Sequence, residues 1–405
     1  MADGKASGDS GFAPLRGVRI VDFSANIAGP YATMILAQIG ADVVHVESRQ
    51  GDDSRQWAGV GDISVVHRLM GAGKRSMVID LKNPQGLSVA RTLVKHADVV
   101  LQSMRPGVAE RIGIGEAAVR ELNTDVLYYD LNAFGTGSVG RAQPGYDPLV
   151  QAFTGIMEMT GHAGSPPTRC APSIIDLGTG QWIAMGILAS LLAKGRGQPV
   201  ERMETALVDA GFSVVGYQAT TARMTGKRPP RSGSGNPIAA PYQCYLARDG
   251  YLMLAAANEK LWRKVVNVLA APQLLEDTRF ATVETRSRHN AELEQKLTSL
   301  LAAEDVDTWL ERFTNAGVPA TRVYGLEAAV RSEVAQERQT FVESDGVPLV
   351  RLPWIVDGNV VPWQRPAPKL GEHTAEVLDE IGYSADQVRE LVACGAVATE
   401  PQGSS

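Results

Sequence analysis

The chain has 405 residues, 44% hydrophobic and 21% charged, with 39 Lys and Arg against 45 Asp and Glu for a net charge of −6. That length suggests two or three domains and a sizeable core, and the mild acidity argues against bulk nucleic-acid binding, which needs a basic face. Cys170, Cys244 and Cys394 form no CxxC pair and are odd in number, which points away from a disulfide framework or a cysteine zinc site and toward a reducing compartment.

The segment Met1 to Pro14 lacks the basic region and apolar run of a signal peptide, so the reading is of a soluble, cytoplasmic protein with no membrane span. Val18 to Phe23 then reads as a strand, Pro30 to Gly40 as a helix and Asp42 to Glu47 as a second strand. Ser76 to Leu81 is a strand, followed by Asn83-Pro84 as the cap and first residue of a helix. Asp98 to Gln102 and Asp125 to Leu131 are further strands, with a helix over Glu116 to Asn123 between them. Strands alternating with helices predict an α/β fold whose largely parallel sheet is covered on both faces.

Between Gly135 and Pro172 the chain is rich in Gly, Pro, Ser and Thr, and a long irregular stretch is often functional. A helix is predicted from Leu177 to Lys194. Its apolar run Trp182 to Ala193 has 12 residues, short of the roughly 20 a membrane span needs, so it reads as buried. Residues 200–225 read as a strand and then a helix that leads away, making 201–224 a linker, and 225–330 as a small α+β domain that includes a strand–turn–strand from Tyr242 to Ala256. The final part, 335–395, ends in an acidic amphipathic helix around Thr374 to Ile381.

Asp176 stands directly before Leu177-Gly178-Thr179-Gly180 and an apolar helix. It is placed either to cap that helix or to present a nucleophilic carboxylate between small residues. Position alone leaves both open. Ala28-Gly29-Pro30 follows the first strand but lacks GxGxxG spacing, so a dinucleotide site is not supported. Gly71-Ala72-Gly73-Lys74-Arg75-Ser76 leads into a strand and is not a Walker A loop; it reads as a turn, or as a basic turn near phosphates. Arg105 and Arg111 follow the strand ending at Gln102, where an anionic ligand would sit in such a fold. No histidine pair has metal-ligand spacing, and no G-x-S-x-G elbow is present.

Taken together, Leu15 to Asp22, Ala28-Gly29-Pro30, Gly40 to Glu47, Gly73 to Ser76 with Asp80-Leu81-Lys82, Met104 to Gly107, Gly145-Tyr146-Asp147, Asp176 to Gly180, Gly317-Val318-Pro319 and Leu370 to Thr374 resemble one family in order and spacing. It is the class III CoA-transferases, the formyl-CoA:oxalate and carnitine CoA-transferase type, related to the α-methylacyl-CoA racemases. The resemblance implies a Rossmann-like large domain built from both chain ends (15–200 and 335–395), a small domain, and an interlocked homodimer.

It also implies Asp176 as the nucleophile on an acyl-CoA thioester, with anhydride and enzyme-bound thioester intermediates. By position, Ile27 and Ala28 would line the thioester end of CoA. Ile79 and Lys82 would flank the adenine, with Arg105, Arg111 and Ile112 at the phosphates and beside them. Tyr146 and the loop glycines Gly233 and Gly235 would line the active site. Serines interrupt that loop, and Ser48-Arg49 stands where some members place an arginine first. The substrates would be an acyl-CoA donor, such as succinyl-CoA, and a carboxylic acid acceptor, with no metal and no cofactor beyond CoA itself. The alternatives are a racemase or epimerase, whose usual Gly-His-Asp motif is here Gly145-Tyr146-Asp147, and a non-catalytic CoA-binding subunit of a heteromer. A tyrosine is a poor proton shuttle near neutrality.

Overall fold

The computed structural model describes residues 11–57, 59–61 and 63–399. It divides into two compact units. The first takes the chain through Thr154, then Ala171–Ala219, then from Gln336 onward; the second comprises Gly155–Cys170 and Thr220–Ala335.

The first unit is built on a seven-stranded sheet. Its strands are β1 (Arg19–Phe23), β2 (Asp42–Glu47), β3 (Arg75–Ile79), β4 (Val99–Gln102), β5 (Leu127–Asn132), β6 (Arg202–Ala206) and, from the far end of the chain, Val397–Ala398. The order is Val397–Ala398, β3, β2, β1, β4, β5, β6. All pairings are parallel except that of Val397–Ala398, which runs antiparallel to β3. The central strands are buried along their length, which explains why they read as continuous apolar runs rather than as an alternation. The chain winds outward from β1 to β3 on one side and from β4 to β6 on the other. The switch point therefore lies between the carboxyl ends of β1 and β4, where ligands bind in open sheets of this kind.

Helices α1 (Ala28–Gln38), α2 (Pro84–Val94), α3 (Val108–Ile112), α4 (Asp147–Phe153) and α5 (Ile174–Gly195) belong to the same unit. Pro84 stands at the start of α2 and Asn83 caps it, accepting the Gln85 amide at 2.9 Å. The second unit holds the three-stranded antiparallel sheet Tyr242–Leu246, Tyr251–Ala255 and Ala320–Arg322. Its core is formed by Trp262, Phe280, Leu297, Trp309 and Phe313 among others.

Three expectations are corrected. Residues 201–224 are not a linker: Arg202–Ala206 is the edge strand of the large sheet, and the first unit continues to Ala219. Nor do residues 15–200 form one run, because Gly155–Cys170 clusters with the second unit. Finally, α5 is 22 residues long, starting three residues before the predicted bound, and is long and apolar enough to cross a membrane by length and composition.

Candidate active site

Asp176 lies in the first turn of α5 and does not cap it. The capping oxygen belongs to Asp147, a residue 29 positions earlier in the chain that is only 3% exposed. Its Oδ2 accepts the amide of Ile175 at 2.8 Å and that of Asp176 at 3.3 Å. Its Oδ1 accepts from Gln151 Nε2 at 2.6 Å. Backbone N–H groups at a helix start stabilise a carboxylate, and here Asp147 takes them. The Asp176 carboxylate is left with no hydrogen-bond donor among the described residues. Burial, and then the charge of Asp147, push its pKa up from the ordinary carboxylate range to about 7.

A glycine sets what Asp176 faces. Gly180 is one turn further along α5, on the same helix face. A Cβ added there would stand 2.6 Å from the Ala28 carbonyl oxygen and 3.2 Å from the Ala32 amide nitrogen. The bare glycine therefore lets α5 lie against the backbone of α1 at its first turn, which brings the start of α5, and Asp176 with it, toward Ile27 and Ala28. Gly29 is needed for a similar reason. A Cβ there would stand 2.2 Å from Ser24 Oγ, and Ser24 belongs to the turn that joins β1 to α1.

The remaining site residues fall into groups. Ile27 and Ala28 open α1 at the switch point, with no side-chain cap on the helix. Lys82, Arg105 and Arg111 are exposed near the carboxyl ends of β3 and β4, and no ion pair engages any of the three among the described residues. Ile112 is half-buried and packs against the core. The Ile79 side chain is 2% exposed within the core, so any contact with a ligand would come from its backbone. The basic-turn alternative for 71–76 also fails, since Lys74 is 1% exposed and paired with Asp22 at 3.3 Å. Ser48 and Arg49 are exposed.

Tyr146 is exposed and precedes α4. Gly233 and Gly235 belong to the second unit, whereas Asp176 belongs to the first. Within the second unit their loop is tied down. The Gly233 amide donates to the Gly161 carbonyl at 2.9 Å, and the Cys244 amide donates to Ser234 Oγ at 3.0 Å. Arg231 donates to Glu158 and to the Ser165 carbonyl. Gly233 has a φ of +58°, and a Cβ there would stand 2.6 Å from His162 Nδ1.

Sequence reasoning missed the capping role of Asp147 and the burial of Asp22, Lys74 and Asp52. The first of these had a signal in Gly145-Tyr146-Asp147, but no local pattern connects that motif to a helix start 29 residues away.

Residues 15–374 match the family model described as CoA-transferase family III. A succinate–glutarate CoA-transferase of Agrobacterium fabrum is 32% identical, covering 91% of this chain and 96% of its own. A succinyl-CoA:glutarate CoA-transferase of Homo sapiens is 27% identical, covering 95% of this chain and 90% of its own. Among solved structures, a CAIB/BAIF family protein from Brucella suis is similar with a TM-score of 0.82 and 29% identity, covering 91% of this chain and 99% of that one.

Proposed function

The chain belongs to CoA-transferase family III, and from that premise we propose that it moves CoA from an acyl-CoA donor to a carboxylic acid through intermediates on Asp176. The observation that carries this reading is the Asp176 carboxylate itself, half-buried at a helix start and without a hydrogen-bond donor among the described residues. A desolvated, unpartnered carboxylate is a better nucleophile than a solvated one.

An oxygen of Asp176 attacks the thioester carbonyl, and the C–S bond breaks to release CoA thiolate. The donor acyl group is left on Asp176 as a mixed anhydride. The thiolate attacks the aspartyl carbonyl carbon, the donor carboxylate departs, and an aspartyl-CoA thioester remains. The acceptor carboxylate attacks that thioester and expels the thiolate. The thiolate then takes the acceptor acyl group from the second anhydride and restores the Asp176 carboxylate. Charge and protons balance, so no general acid is needed. Water must be kept from the anhydrides, and each tetrahedral oxyanion needs donors nearby. The chemistry calls for no cofactor beyond the CoA that travels with the substrates. Succinyl-CoA is the proposed donor because relatives of this chain carry succinate or succinyl-CoA in their names.

The test is to trap the intermediate. Succinyl-CoA followed by hydroxylamine is expected to modify Asp176, located by mass spectrometry, with new acyl-CoAs formed from a mixture of acids. Labelling at any other residue would sink the proposal.

A second copy of the chain is proposed as the partner. In α5, Trp182, Met185 and Leu192 are 48%, 49% and 56% exposed, an unusual load of apolar surface for one chain to leave in water. Sedimentation is expected to give twice the 43.3 kDa chain mass; a monomer at micromolar concentration would refute the dimer.

A further inference from the structure

The turn between β1 and α1 is held by side chains from three parts of the sheet. The Ser24 amide donates to Asp22 Oδ1 at 2.9 Å, at the end of β1. The Ala25 amide donates to Ser103 Oγ at 3.0 Å, just past β4. The Asn26 amide donates to Asp52 Oδ2 at 3.0 Å, a few residues past β2. Asn26 takes a φ of +70°, a left-handed conformation that asparagine tolerates better than most L-residues but that is still less favourable than the right-handed one without support. For the next two amides, those of Ile27 and Ala28, no acceptor is found among the described residues.

The acceptors are themselves fixed. Asp22 is fully buried and also accepts from Ser24 Oγ and Thr33 Oγ1, each at 2.5 Å. Asp52 is 8% exposed, accepts the Ser54 amide at 2.7 Å and donates its own amide to Glu47 Oε1 at 3.0 Å. Glu47 is gripped by Arg55 through two bonds of 2.7 Å and by Ser76 at 2.5 Å. The carboxylates of Asp22, Asp52 and Glu47 are all buried, and the proposed chemistry uses none of them.

We propose that Asp52, with Asp22 and Ser103, is a positioning residue for acyl transfer. By taking the amides of residues 24–26 and holding Asn26 left-handed, these acceptors aim the unclaimed amides of Ile27 and Ala28 at the oxyanion formed on the thioester. The inference rests on the reading that these two residues receive the thioester. Loss of Asp52 frees Asn26 to relax to a right-handed conformation and swings both amides away. Removal of one oxyanion donor costs about 10²–10³-fold in rate, so a misaimed pair is expected to cost roughly 10–100-fold.

The test compares Asp52→Ala with Asp53→Ala, an exposed neighbour that opens the short 3-10 helix Asp52 caps and whose loss changes the charge equally. In Asp52→Ala, kcat is expected to fall 10–100-fold with KM for the acyl-CoA within about threefold. Amide hydrogen exchange in a peptide covering residues 24–28 should speed up in the free protein. Asp53→Ala should match the parent in both. Asp52→Asn keeps one acceptor oxygen for the amides of Asn26 and Ser54 and should recover part of the lost rate; it also serves if the alanine variant folds poorly. Unchanged exchange in Asp52→Ala, or a loss confined to KM, overturns the proposal. Exchange needs no substrate, so it judges the clamp even if the parent protein fails to acylate Asp176, a failure that would sink the transferase reading instead. Acylation of Asp176 at the parental rate in Asp52→Ala would sink the clamp and leave that reading intact.

Discussion

Asp176→Asn is expected to lower CoA transfer by 10⁴-fold or more, because an amide cannot form either the anhydride or the thioester of the proposed reaction. The fold should survive, and above neutral pH it should gain stability. Burial and the Asp147 charge hold the Asp176 pKa near 7, whereas an aspartate in the unfolded chain ionises near 3.9. The folded state thus resists ionisation of this group. Its contribution is unpenalised below about pH 4 and turns unfavourable as pH rises toward 7, where it levels off. Removing the charge should stabilise the protein at pH 8 by on the order of 1–2 kcal/mol, after relaxation and partial hydration of the site are allowed for.

The same pKa shapes the rate. In the parent enzyme, transfer should climb as pH rises through 7, as the ionised nucleophile accumulates, and then level off. Asp147→Asn keeps an acceptor for the amides of Ile175 and Asp176 but removes the neighbouring negative charge, so the rising limb should move to lower pH. A pH–rate profile and thermal melts of both variants check these points. An Asp176→Asn protein retaining a tenth of parental activity, or an unmoved limb in Asp147→Asn, would contradict them.

The legible part of this protein is the part governed by local pattern. The strands β1 to β5 were readable because they are short apolar runs punctuated by turns. Asn83-Pro84 gave the start of α2 because capping is a matter of neighbouring residues. Asp176 could be singled out from its glycine-flanked place before an apolar helix, but its position left capping and nucleophile both open, and the nucleophile role came from resemblance. The reason is physical: the helix-start amides were claimed by Asp147 through a contact 29 residues apart in sequence. The strand and following helix of residues 200–225 were legible, but not that Arg202 to Ala206 joins the large sheet as its edge strand β6, because its pairing with β5 is made with residues far away in sequence. The glycine-rich segment around Lys74 read as a turn, or a basic turn near phosphates, because nothing nearby in sequence reveals that Lys74 points at Asp22, 52 residues away. Long-range pairings of charge are invisible to periodicity.

That hidden pair carries the second large effect. Lys74→Met is expected to cost about 3–5 kcal/mol, since it leaves the Asp22 carboxylate buried without its cation. Lys74 Nζ is 3.3 Å and His45 Nδ1 is 3.2 Å from the same Asp22 oxygen, and Asp22 has no exposed surface. Despite its burial, Asp22 is held well below the ordinary carboxylate range, by Lys74 first and His45 next. A depressed carboxylate adds stability above its unfolded pKa and gives it up as pH falls toward the folded value. With Lys74 gone, acid unfolding should begin at higher pH. His45 has a raised pKa, mainly from Asp22 against the cost of burial, so its charge supports the fold below about 6.5 and is lost as pH rises through the folded value. It would then be the nearest cation left to Asp22, and the variant's deficit should grow on the alkaline side. Urea unfolding at pH 6 and pH 9 measures both. A deficit under 1 kcal/mol that does not change with pH would refute the argument. Replacing both partners, as in Asp22→Leu with Lys74→Met, should recover only part of the stability: the unpaired buried charge is gone, but the Ser24 amide and hydroxyl and the Thr33 hydroxyl lose the carboxylate that accepts them. Activity should not return with it. The Ser24 amide would still lack its acceptor, and the turn that opens α1 would remain loose in a protein that is otherwise folded.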